Sequence, residues 1–149
     1  MFAGHKPISE PETIAMQNAI LDRKDKIKIF ISFHSFGQYW LTPWFYDNHR
    51  IPENYQDLYK AARVAVKAIE NVYGTKYEIG PGSELWHEIG GTSCDWAYGV
   101  AKIPYSYSVE LPDKNYYGFY LPPNRIKPTG EETWAGVKAL AFYILDKIS

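Results

Sequence analysis

The spacing of apolar positions changes period several times along the chain. Ile27, Ile29, Ile31 and Phe33 share one parity over 26–34, which predicts a β-strand ending at His34. Phe30, on the other parity, predicts a strand buried on both faces and therefore central in its sheet. Tyr105, Tyr107 and Val109 alternate with Ser106, Ser108 and Glu110, giving a second strand over 105–110. Leu58, Ala62, Ala65 and Ile69 recur at helical spacing over 55–72, between a cap at Asn54 and a terminating glycine at Gly74. Ser9 with Glu12, and Thr129 with Glu132, read as capping boxes. They predict a helix to about Arg23 with Ile14, Ile20 and Leu21 inward, and a last helix to about Leu145 with Trp134, Val137, Ala141 and Leu145 inward. A strand near Tyr77, a Gly80-Pro81-Gly82-Ser83 loop, a short helix over 92–98 capped by Thr92 or Ser93, and an aromatic loop over 35–53 complete the pattern. Alternating helices and strands predict an α/β fold, with helices packed on a mainly parallel or mixed sheet in one domain.

Composition narrows the function classes. Sixteen basic against seventeen acidic side chains give a net charge of −1, which argues against a nucleic-acid footprint or a polybasic membrane anchor. No apolar run reaches the roughly 20 residues of a membrane span. One cysteine, Cys94, excludes an internal disulfide and a cysteine-rich metal knuckle. The aromatic content of 17% suits a large core or a binding cleft.

Ligands in open α/β sheets gather at the carboxyl ends of strands, where the two best strands carry His34 and Glu110. A metal ligand and a general base are one reading of that pair. A hydrogen-bonded loop histidine and a solvated glutamate are the other. No His-Glu-x-x-His, P-loop or nucleophile-elbow sequence is present. Cys94 lies beside Asp95, whose carboxylate discourages a thiolate, so a small buried residue is the plainer reading there.

Six segments then follow in a recognisable order: Ser9-Glu10-Pro11-Glu12, Phe33-His34-Ser35-Phe36-Gly37-Gln38, Gly91-Thr92-Ser93-Cys94-Asp95-Trp96-Ala97-Tyr98, Tyr105-Ser106-Tyr107-Ser108-Val109-Glu110-Leu111, Tyr117-Gly118-Phe119-Tyr120-Leu121-Pro122 and Glu131-Glu132-Thr133-Trp134. Together, from about Ser9 to Ser149, they resemble the C-terminal half of the catalytic domain of zinc carboxypeptidases of the pancreatic A/B type. The resemblance implies that His34 is the third protein ligand of a catalytic Zn2+ and that Glu110 is the general base. It further implies that Ser35 and Phe36 shape substrate subsites. Cys94 falls at the base of the pocket for the C-terminal side chain, with Trp86, Ile89 and Ser108 on its walls and Phe45 at a usually small position. Because that base carries no acid, the expected substrate is a peptide or protein ending in an apolar or aromatic residue, a smaller one where Phe45 and Trp86 take room.

The departures are equally informative. The family's His-x-x-Glu ligand pair and its substrate-binding arginines and asparagine belong upstream of Ser9, which leaves the zinc ligand set incomplete. The family's mobile cleft tyrosine falls on His87, or on Trp86 beside it. Pro112 takes the place of an arginine after the base. These features predict a truncated chain inactive alone, whose parent is a secreted peptidase. The competing expectation is a non-catalytic relative that binds peptide C-termini. Severing the sheet is expected to leave an open edge and bare apolar faces, and so to favour self-association.

Overall fold

The computed structural model describes residues 5–148. Among the described residues nine α-helices and β-strands follow in order, besides a 3-10 turn at Pro123–Arg125: α1 (Pro11–Leu21), β1 (Ile29–Ser35), β2 (Tyr39–Thr42), α2 (Tyr55–Tyr73), β3 (Glu78–Pro81), the single turn α3 (Gly82–Leu85), α4 (Ser93–Gly99), β4 (Tyr105–Leu111) and α5 (Ile126–Ile148). The sheet order is β1-β4-β2-β3. β1 runs parallel to β4, β4 antiparallel to β2, and β2 parallel to β3. The fold is therefore α/β with a mixed sheet.

Side-chain parity sorts the sheet into two faces. Trp40, Tyr107 and Val109 face α2 and α5, where Leu58, Ala61, Ala62, Ala65, Ile69, Leu140 and Ile144 complete the main core. Phe30 faces the other layer, where it packs with Ile20, Leu21 and Trp96 around Ala97, Ala101 and Ile103. Partial cover on both faces, Ile29 and Ile31 against the main core and Phe30 against the other layer, explains the doubly apolar pattern of β1. It does not make β1 central: among the described residues β1 is an edge strand, because a covering layer above and below is independent of a neighbour alongside. Residues 35–53 are not wholly loop either, since β2 lies within them and pairs on both sides. The glycine-proline stretch 80–83 likewise ends β3 and opens α3.

Helix ends follow the sequence in part. Gly74 terminates α2 at φ 79°, with its N–H donating to the Glu70 carbonyl, a left-handed conformation glycine adopts without Cβ strain. Thr92 caps α4, accepting from the Asp95 N–H at 3.3 Å. Asn54 precedes α2 but makes no capping bond. Its side chain instead joins α2 to α4 and β4, donating to the Pro104 carbonyl at 3.0 Å and accepting from the Tyr98 hydroxyl at 2.7 Å. The two capping boxes are corrected. α1 starts from Glu10, with the Ser9 hydroxyl bonded to the Glu10 carboxylate. α5 starts at Ile126, before Thr129, and Glu132 is buried and accepts from the Thr75 hydroxyl at 2.6 Å.

The inward faces of the two outer helices also differ from expectation. Ile14 is exposed, and α1 meets the core through Ile20 and Leu21 only. On α5 the buried row is Glu132, Gly136, Leu140 and Ile144, while Trp134 is 63% exposed and Leu145 is exposed. Gly136 sets this rotation. A Cβ there would meet the Ile69 side chain at 2.7 Å and the Ala65 carbonyl at 3.1 Å, so its lack of a side chain brings α5 close against α2.

Candidate active site

The in-register parallel pairing of β1 and β4 makes His34 and Glu110 Cα partners, and Ser32 and Ser108 partners one step back. Cross-strand partners share a face, so His34, Glu110, Ser32 and Ser108 all lie on the face opposite the main core. On the far side of β4, Tyr39 and Leu41 of β2 partner Glu110 and Ser108. The strand ends are tied just beyond the site, where the Gly37 N–H donates to the Leu111 carbonyl at 3.1 Å.

His34 is exposed, and its Nε2 shares a 2.7 Å hydrogen bond with the Ser32 hydroxyl. That bond orients the ring and leaves the Nδ1 lone pair for a metal when Nε2 carries the ring proton, the arrangement that suits a metal-ligating imidazole. Glu110 is only 8% exposed, and burial raises its pKa to about 7. Its Oε2 is buried without a hydrogen-bond partner. An ionised carboxylate in that position is poorly solvated, so it holds a proton more readily than an ordinary glutamate.

Trp86 and His87 are exposed, and Trp86 reaches the site through Tyr39, the partner of Glu110 on β2. The Trp86 ring stands edge-on to Tyr39 at 6.1 Å, and His87 lies against it at 5.8 Å. Phe36 follows the exposed Ser35 and packs edge-on to Phe119 at 5.0 Å. Cys94 and Leu41 are fully buried with Phe45, and Ile89, Tyr39 and Leu85 pack against them. Ser108 is buried next to the Cys94 thiol, whose pKa burial pushes well up, with the neighbouring Asp95 charge adding to it. Cys94 and Ser108 are thus both buried, and the Phe45 ring packs in the same cluster as Cys94. A side chain at Gly82 would run into that ring.

Asp95 is the residue that the sequence reading underrated. Its carboxylate accepts from the Phe45 N–H at 3.0 Å and the Tyr46 N–H at 3.3 Å. It thus pins the segment bearing Phe45 to α4. Burial raises its pKa, against the lowering effect of those backbone donors. The available signal was an acid in the first turn of a capped helix beside an aromatic loop.

The donor set bears on zinc. His34 fits one coordination position, with its ring already oriented by Ser32. Among the described residues, no group of three or more His, Cys, Asp or Glu side chains converges to hold a metal, whereas catalytic zinc uses three protein ligands. The site is thus compatible with one zinc ligand and a neighbouring base, and it needs further ligands from outside these residues.

The comparisons with known proteins fit this architecture. The sequence profile of the zinc carboxypeptidase family matches residues 1–136, and the chain belongs to that family. It is 42% identical over its whole length to carboxypeptidase B of Astacus astacus, covering 49% of that protein. It is also 42% identical to mast cell carboxypeptidase A of Mus musculus, covering 35% of it. Bovine thrombin-activatable fibrinolysis inhibitor, solved in complex with tick carboxypeptidase inhibitor, superposes with a TM-score of 0.94 at 35% identity, over 98% of this chain and 49% of that one. The chain thus spans half or less of the length of these relatives.

Proposed function

We propose that this chain is the C-terminal half of a zinc-dependent metallocarboxypeptidase catalytic domain, in which His34 is one zinc ligand and Glu110 is the general base. The observation that carries the proposal is the in-register pairing of an oriented, exposed imidazole with a buried carboxylate lacking a partner at Oε2. Zinc, when bound, polarises a carbonyl and makes water more acidic. Glu110 takes a proton from water and returns it to the departing amine. A carboxyl that titrates near neutrality suits both halves of that transfer. Ser35 and Phe36 border the substrate path, and Trp86 or His87 covers it. The remaining zinc ligands come from the parent polypeptide, so this chain alone is inactive.

The buried Phe45 and Cys94, with Ile89 and Ser108, favour a small apolar C-terminal residue over a basic one. The parent acts on peptide or protein C-termini and is secreted. Alone, the chain associates with itself through the unpaired edge of β1. No described helix is long and apolar enough to cross a membrane. A second reading, a non-catalytic peptide-binding relative, is favoured by the absence of a converging ligand group among the described residues. The longer parent separates the two. The peptidase reading predicts release of C-terminal Ala or Val ahead of Lys, lost in Glu110→Gln with zinc retained. No release of any C-terminal residue by a zinc-loaded parent establishes the second.

A further inference from the structure

A cavity of about 730 Å3 opens where α5 begins. Glu132 reaches it from α5, which packs on the sheet face opposite His34 and Glu110. The stretch between α2 and β3 and the loop after β4 supply the rest of its lining. We infer that this cavity binds a free amino acid with an apolar side chain. The α-ammonium sits on Glu132, the α-carboxylate on Arg125, and the side chain among the rings of Tyr73, Tyr116 and Tyr117.

The charges carry the argument. Glu132 is 3% exposed, and its Oε2 accepts from the Thr75 hydroxyl at 2.6 Å. Among the described residues no cation lies within ion-pair distance of it. Burial raises its pKa, while the Thr75 hydroxyl and the Arg125 charge pull it down. A carboxylate removed from water without a counter-charge is costly, and an ammonium beside it offsets that cost. Arg125 is the one basic residue on the lining among the described residues. It is exposed and makes no ion pair there. A lone cation would be repelled by Arg125 and a lone anion by Glu132, so a zwitterion fits both.

The neighbouring acids are already occupied. Glu131 accepts from the Tyr73 hydroxyl and pairs with Lys127 at 3.7 Å. Asp113 accepts from the Tyr117 N–H at 2.8 Å and the Gly118 N–H at 3.0 Å. The same bonds hold the walls. The first fixes Tyr73, and the others fix the loop whose Tyr116 and Tyr117 rings stand perpendicular, with centroids 4.6 Å apart. All three rings are exposed. Ring walls with a few fixed polar groups suit a small ligand that has one apolar end and one charged end.

The source of the ligand rests on the peptidase reading, because removal of C-terminal residues releases free amino acids. The binding itself needs no catalysis. The probes are L-valine, L-valinamide, N-acetyl-L-valine and glycine at pH 6.5, titrated into the 15N-labelled chain. Binding is read from the amide shifts of Thr75 and Glu132. L-valine should bind about tenfold more tightly than valinamide or N-acetylvaline, as loss of one charge-assisted hydrogen bond allows. Glycine should bind a few-fold more weakly than L-valine. Arg125→Glu, at an exposed position, should melt with the unaltered chain, lose the advantage of L-valine and favour valinamide. Those affinities support the cavity even where the longer parent releases no residue. Equal affinities for the four probes overturn it, also where the parent is an active peptidase. L-valine affinity unchanged in Arg125→Glu overturns it too, as do shifts confined to the His34 and Glu110 amides.

Discussion

His34 and Glu110 face one another across a parallel pair of strands, each the second-last residue of its strand. The shared position gives them one face, but their environments differ. The imidazole stands in solvent on the edge strand, while the carboxyl sits between β1 and β2.

That difference predicts a pH effect. Burial raises the Glu110 pKa from 4.5 to about 7, so between those values the folded chain holds a proton that the unfolded chain releases. Folding stability from this group is therefore full below about pH 4.5, falls as pH rises to about 7, and is constant above it. The shift corresponds to up to about 3 kcal/mol. Glu132 and Asp95 are also raised by burial, so the informative quantity is the difference between the chain and Glu110→Gln. In urea melts at pH 4.5 and pH 8, the variant should lose less stability with rising pH. Equal losses would place Glu110 in solvent.

Burial of Cys94 in one cluster with Phe45 predicts a silent cysteine. Cys94 is fully buried and its thiol holds its proton tightly, so thiol reagents should react with it only on unfolding. Phe45→Ala should cost about 3 kcal/mol and open a path to the thiol, detectable as faster labelling under native conditions. Rapid labelling of the unaltered chain would show an open pocket above Cys94.

Close packing at Gly136 opposes local helix preference. Alanine favours a helix interior by about 1 kcal/mol over glycine, yet its Cβ would press on Ile69 and the Ala65 carbonyl. Overpacking of this sort costs about 1–3 kcal/mol. Gly136→Ala should therefore lower the denaturation midpoint, whereas Trp134→Gln, on the exposed side, should change it little. A stabilised Gly136→Ala chain would mean that α5 sits farther from α2.

Much of this arrangement was legible in the sequence. The strand ends at His34 and Glu110 were readable because alternation fixes parity locally. The stripe of α2 was readable because helical spacing and Gly74 agree. The face of α5 was not, since pattern reading weighs large apolar residues such as Trp134 and Leu145, while the contact is decided by an absent side chain at Gly136. The edge position of β1 was hidden because burial by layers and pairing by neighbours leave the same apolar signature. The anchoring role of Asp95 depended on a contact with Phe45 fifty positions away, which local spacing does not encode.

The central claim is that His34 and Glu110 are part of a zinc site completed by other polypeptide. Metal analysis of the purified chain, alongside an assay for released C-terminal residues, tests it most directly. Alone, the chain should hold zinc weakly, more weakly still in His34→Ala, and release nothing. Joined to the remainder of the catalytic domain, it should hold one zinc and release C-terminal residues, and Glu110→Gln should stop release with the metal still bound. One tightly held zinc on the isolated chain, with chelator-sensitive release of C-terminal residues, would contradict the account.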